Sequence, residues 1–249
     1  MTHLTKAQLL AAAPATAPRT DAESGKLLDT SEWVRGLRPL GMLPVFAVQG
    51  TPHGDATEAR PEDGRHLVVV SRDIDIAVTP AHFLLNSHTK DRRSLLGVGV
   101  WNGHDFLIAA SLPVQRWRGV ATPTRRLAEF TASGNHAVLC GRLMDWRPSP
   151  ATIRSFVADV VPHAYEKGQN LPASDVLADG LGGSMLDVCF GLMGKFRAGN
   201  APSARRGRRN VKAMKRPDAL FRAAKAVLTR ACVVGQRMGT VPRSVSLTP

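Results

Sequence analysis

Long apolar runs are missing from this chain. Every stretch that approaches the roughly 18 to 20 residues of a membrane span is interrupted by charge or proline, so no membrane helix is expected. Cysteine occurs only at Cys140, Cys189 and Cys232, far apart and each in apolar sequence. An odd, scattered set of thiols signals neither a disulfide framework nor a thiolate zinc site, and reads as reduced core residues of a cytoplasmic protein. Aromatic residues make up 5% of the chain, and near basic sequence they are Trp101, Trp117, Trp146 and Phe196. With so few rings to stack on bases, phosphate contact should dominate any encounter with nucleic acid. Gly-x-Ser-x-Gly, His-Glu-x-x-His, kinase, P-loop and dinucleotide fingerprints are lacking, and no cofactor is expected. The start, MTHLTKAQLLAAAPATAP, has one lysine and an Ala/Leu run broken at Pro14. It reads as a disordered arm over residues 1–28 rather than a secretory signal.

Acidic residues are scarce in one place in particular. The 249-residue chain carries 33 Lys and Arg against 20 Asp and Glu. Residues 195–237 hold thirteen of those bases and one acid, Asp218; Arg243 follows, which leaves nineteen of each sign in residues 1–194. The chain is therefore read as a neutral α+β body (29–194), a basic loop with a C-terminal helix (195–237) and a tail (238–249). Such asymmetry implies a polyanionic partner: nucleic acid first, DNA ahead of RNA, then an acidic protein, with no membrane partner. A second copy of the chain is a further partner to be considered.

Sheet patterns come first. Asp29-Thr30-Ser31-Glu32 has capping-box spacing and precedes Trp33, Val34, Leu37 and Leu40, which predicts a short helix ended by Pro39 and Gly41. LPVFAV (43–48), HLVVVSRDIDI (66–76), FLLNS (83–87), LLGVGVW (95–101) and DFLIAASL (105–112) predict strands of a mostly antiparallel sheet with short connections. From about residue 123 the apolar spacing changes to three and four, predicting helices with Ser149 or Ser174 as caps. Residues 198–217 have almost no apolar periodicity and predict a basic loop, and a last helix is expected over 217–234. The predicted fold class is α+β, a sheet followed by a helical half.

Between the third and fourth strands lies NSHTKDRRS. Its simplest reading is a polar hairpin turn, with Asn86, Ser87 and His88 as a structural motif at its base. The functional reading sends Lys90, Arg92 and Arg93 from the tip onto phosphates. The strongest basic signal is Arg205-Arg206-Gly207-Arg208-Arg209 with Lys212, Lys215 and Arg216, flanked by Lys195, Arg197, Arg222 and Lys225. Arginine's planar fork suits bidentate phosphate contact, whereas the alternative is a solvated charge run. A competing enzyme reading assembles a metal site from Asp73, Asp75, His82, His88, His104 and Asp105, since carboxylates two apart on a strand share a face. GLGGSM (180–185) lacks the Lys-Ser/Thr of a P-loop and reads as a helix-start turn rather than a phosphate cradle.

Four segments in order resemble the YafZ-like family of phage, prophage and plasmid proteins, a domain of unknown function. EWVRGLRPLGMLPVFAVQG resembles the family's opening helix, Gly-x-x-Pro turn and Phe-Ala-x-Gln strand, with Pro44, Phe46, Ala47 and Gln49 in place. GRHLVVVSR resembles its His-x-x-x-x-x-Arg strand, LLNSH matches its most specific run at Leu85, Asn86, Ser87 and His88, and residues 194–228 resemble its arginine-rich loop and last helix. The family's usual Asp-Gly after the histidine is replaced by Thr89-Lys90. The resemblance implies residence on a mobile element and, by association, work on DNA. The resulting expectation is a DNA-binding protein serving recombination or single-strand annealing. A metal-dependent nuclease using Asp73, Asp75 and His88, and an interaction protein for an acidic host factor, are the alternatives.

Overall fold

A computed structural model describes residues 30–49, 65–72, 78–87, 94–114, 121–165, 174–199 and 213–248. The chain forms α1 (Thr30–Leu37), a 3-10 turn (Arg38–Leu40), then β1 (Met42–Gln49), β2 (Arg65–Arg72), β3 (Thr79–Ser87), β4 (Leu95–Trp101) and β5 (Phe106–Pro113). Helices follow: α2 (Ala121–Ala132), α3 (Asn135–Asp145), α4 (Pro150–Ala164), the short α5 (Ser174–Ala178), α6 (Met185–Ala198) and α7 (Pro217–Arg237). The fold is α+β, with its sheet first and a helical C-terminal half.

Each strand pairs antiparallel with the next, giving one sheet in the order β1-β2-β3-β4-β5. Val69 faces Phe83 and Phe83 faces Gly97, so odd-numbered residues of β2, β3 and β4 share one face. On that face Phe106 meets Phe46 and Phe83 at ring-centroid distances of 5.3 and 5.6 Å. Helix α7 crosses the same face, because Asp218 meets Arg65 near its start and Lys225 bonds Ser111 further along. The opposite face buries Val68 and Val70 against Val34 of α1 and Met42. Burial on both faces explains why Leu67, Val68, Val69 and Val70 form an unbroken apolar run with no exposed surface.

The sheet bends where registers shift, at Pro44/Phe46 in β1 and opposite Val98/Gly99 in β4. At the second bulge a Cβ on Gly99 would lie 2.0 Å from the Leu107 carbonyl oxygen. Only glycine permits this approach.

Helix α4 starts where the sequence predicts, with Ser149 Oγ accepting from the Thr152 amide at 3.2 Å and Pro150 in the first turn. Helix α7 is a core element, packing on α4, α6 and β5. It buries Leu220, Phe221, Val227 and Leu228, each worth ~1.5–3 kcal/mol relative to exposure. The basic region therefore splits into a helix inside the fold and residues 200–212, which lie outside the described residues.

Several boundaries differ from the sequence reading. β3 begins at Thr79 rather than Phe83, taking in Pro80, which is exposed near the strand's start and accepts from Ser71 Oγ through its carbonyl. Ser174, expected as a helix cap, is itself the first residue of the short α5. Helix α7 continues to Arg237, past Val234, and the tail folds back over it: Gln236 Nε2 donates to the Val245 carbonyl at 2.9 Å, and Val241 and Val245 are buried. The described part of HLVVVSRDIDI ends at Arg72, so Asp73 and Asp75 lie outside the described residues.

Candidate nucleic-acid interface

Three polar residues stand in a row at one end of the sheet. Gln49 of β1 pairs with His66 of β2, which pairs with Asn86 of β3, each placed by the strand register. Apolar strands normally end in solvated turns, yet His66 and Asn86 are 0% and 1% exposed. They bond to α1 and to the residue before β4. Thr30 Oγ1 lies 2.7 Å from His66 Nε2 and accepts from Asn86 Nδ2 at 2.9 Å, while Ser94 Oγ donates to Asn86 Oδ1 at 2.6 Å. Each of these bonds offsets the cost of burial, since an unpaired buried polar group costs about 1–3 kcal/mol.

The basic C-terminal region reaches this end of the sheet from the other face. The Met214 amide donates to the Phe196 carbonyl at 2.7 Å, so the residues flanking the 200–212 segment are tied together. Four residues later Asp218 Oδ1 lies 2.5 Å from Arg65 Nε, with those side chains 31% and 12% exposed. Arg65 pairs across the sheet with Ser87, the last described residue before the 88–93 connection. Ser87 and Asp218, remote in sequence, thus both adjoin Arg65 at one end of the sheet.

Of the residues singled out from sequence, His88, Lys90, Arg92, Arg93, Arg205, Arg206, Arg208, Arg209 and Lys212 lie outside the described residues. Lys215 and Arg216 are exposed just before α7, and Arg222 is half-buried on it. Three other cations make internal contacts. Arg197 Nε bonds Asp105 Oδ1 at 2.9 Å, joining the end of α6 to the β4–β5 turn, while its side chain stays 39% exposed. Lys195 donates to the Asp179 carbonyl, and burial pushes its pKa down while Asp179 pulls it up. Lys225 donates to Ser111 Oγ at 2.9 Å, its pKa also lowered by burial. Ser87 is the last residue of β3.

The candidate metal residues with described positions are dispersed. His104 and Asp105 occupy the β4–β5 turn, where both their amides donate to Asn102 Oδ1. His82 lies in mid-strand on the opposite sheet face, paired with Val70 and Val98. Its pKa is lowered by burial, then by the charge of Arg72 and by His136, whose own pKa burial also lowers. Among the described residues no group of three or more His, Cys, Asp and Glu converges as metal ligands would. Asp73, Asp75 and His88 fall outside them.

GLGGSM is a helix start. Gly183 takes φ +88°, Ser184 Oγ accepts from the Asp187 amide at 3.1 Å, and Asp187 Oδ2 accepts from the Ser184 amide at 2.8 Å. This capping box places a carboxylate where a phosphate would sit. Cys140, Cys189 and Cys232 are free and buried; burial pushes Cys140 up to about 12 and raises the other two, so none has thiolate character. No helix of the described residues is long and apolar enough to cross a membrane.

Sequence reasoning missed Thr30, Arg65, Ser94 and Asp218 as the residues that join these segments. Their only local signal was polarity beside apolar runs, which most strand ends share. Compared with models of known protein families, with curated proteins and with solved structures, the chain matches none.

Proposed function

We propose that this chain is a DNA-binding protein of a phage or other mobile element, acting in a bacterial cytoplasm in recombination or single-strand annealing. Its grip is two-sided: Lys90, Arg92 and Arg93 on the β3–β4 connection, and the arginine-rich 200–212 segment with Lys215 and Arg216. The observation that carries this reading is the linkage Ser87–Arg65–Asp218. Ser87 and Asp218, which border two cationic stretches more than a hundred residues apart in sequence, both adjoin Arg65 at one end of the sheet, and this supports the reading that both stretches contact one phosphate backbone. Summed charge at one site raises both affinity and association rate for a polyanion. The resemblance to YafZ-like proteins supports the mobile-element setting.

Scarce aromatics favour phosphate over base contact, so affinity should depend steeply on salt and weakly on sequence. The test is fluorescence anisotropy with labelled single- and double-stranded oligonucleotides across a salt series. Replacing Lys90, Arg92 and Arg93 with Gln should flatten the slope of log affinity against log salt by about 2 to 3, at ~0.7–0.9 per lost phosphate contact. Neutralising Arg205, Arg206, Arg208 and Arg209 should flatten it further. Full slopes in both variants would end the proposal.

A further inference from the structure

We infer that Ser111 and Lys225 form a nucleophile and general-base pair that hydrolyses carboxylic esters at the unpaired edge of β5. This activity goes beyond the DNA-binding reading and does not depend on it. Lys225 Nζ lies 2.9 Å from Ser111 Oγ, within the reach a base needs to take a proton from the nucleophile it activates. The two residues come from β5 and α7, 114 positions apart, and both are half-buried, so the pair is neither sealed in the core nor dispersed in water. Among the described residues no carboxylate pairs with the Lys225 ammonium, and Phe221 and Leu228, one turn to either side on α7, are buried. A half-buried cation without a counter-ion shifts toward its neutral amine, and burial does lower the Lys225 pKa.

Strand register supplies a second part of such a site. β5 ends the sheet order, so among the described strands it has one neighbour, β4. The Val114 amide donates to the Ser94 carbonyl at 2.8 Å, just beyond the pair Leu95 and Pro113. Opposed residues of antiparallel strands alternate between hydrogen-bonded and non-hydrogen-bonded pairs. Counting inward from Val114, Leu112 faces Leu96 as a bonded pair and Ser111 faces Gly97 as an unbonded one. The Ser111 backbone N–H is therefore turned away from β4, toward the unpaired edge. It belongs to the nucleophile's own residue, where an oxyanion hole takes one of its donors. The step is an acyl transfer. As Ser111 Oγ bonds to the ester carbonyl carbon, its proton passes to the neutral Lys225 amine, and the carbonyl oxygen becomes an oxyanion held by the Ser111 N–H. The oxyanion collapses, the bond to the alkoxy oxygen breaks, and Lys225 returns the proton to the departing alcohol. Water then attacks the acyl-serine and gives a proton to Lys225, and the Ser111 oxygen recovers that proton as the carboxylic acid leaves. An ester suits a site with one such donor, because its alkoxide leaves more readily than an amide nitrogen.

A fluorophosphonate probe tests the nucleophile. Incubated with the full chain, it should form a covalent adduct that peptide mass spectrometry places on Ser111, and the chain should release p-nitrophenol from p-nitrophenyl acetate. Ser111→Ala should abolish both. Lys225→Arg keeps a donor to Ser111 but has no amine able to accept a proton at neutral pH. It should slow labelling at least about 100-fold, the low end of what a positioned base contributes, while circular dichroism stays parent-like. Should Lys225→Arg fail to fold, Lys225→Met, which keeps the apolar stem, is judged by the same criterion. No adduct at Ser111, or no ester turnover above that of Ser111→Ala, overturns the activity. So does an adduct that forms equally fast in urea, where the pair is broken. Labelling of Ser111 at the parent rate in a folded Lys225 variant overturns the lysine as base, and the pair with it.

Discussion

Truncating Asn86 to alanine removes its described hydrogen bonds to Thr30 and Ser94 from the interior of the sheet's end and leaves every charged side chain in place. Asn86 is 1% exposed, and its amide supplies a donor to Thr30 and an acceptor to Ser94. The two orphaned groups differ. Ser94 is half-buried and can turn toward water, whereas Thr30 is 1% exposed and keeps only His66 as a described partner. An orphaned buried polar group costs about 1–3 kcal/mol, so the loss should centre near 2 kcal/mol, with most of it at Thr30. For a chain of this size that lowers the melting midpoint by roughly 4–8 °C. Urea unfolding followed by far-UV circular dichroism gives the comparison directly, provided the m-value is unchanged. A stability change below about 0.5 kcal/mol, the size of an ordinary surface substitution, would refute the reasoning and mean that Asn86 is not held as described.

Three other outcomes follow from the same geometry. Gly99→Ala should cost at least about 3 kcal/mol or prevent folding, because its Cβ would lie 2.0 Å from the Leu107 carbonyl oxygen and main chain cannot yield as a side chain can; a soluble variant with near-parent urea midpoint would contradict the bulge. Ser184→Ala should lose about 1 kcal/mol by opening the capping box of α6, measurable by the same unfolding curve, and a Ser184→Thr variant should recover most of it. His82 and His136 both have lowered pKa values in the folded chain, so below the ordinary histidine value of about 6.5 the unfolded chain takes up protons that the folded one refuses. Through these two groups stability should fall as pH drops through about 6.5, and His82→Gln should make that decline shallower; an unchanged slope would exclude His82 as its source.

The α+β order was legible in the residues alone, because apolar periodicity is a local property and changes from near-continuous runs to spacings of three and four at about residue 123. The five strands and the start of α4 at Ser149 follow from that pattern and from capping chemistry. Charge was legible too: a composition count locates thirteen cations and one acid within residues 195–237. What the sequence could not determine was which segments meet. The row Gln49, His66, Asn86 depends on strand register, and a one-residue slip would turn each of its members to the other face. The assignment of α7 to the core rather than to an appendage depends on a partner face assembled from β5, α4 and α6, distant in sequence. The pairing of Arg65 with Asp218, across 153 positions by their numbers, depends on both. Local patterning fixes which residues can be buried; only the closing of the sheet under α7 decides against what, and thereby brings Asp218 to Arg65 at the sheet's edge.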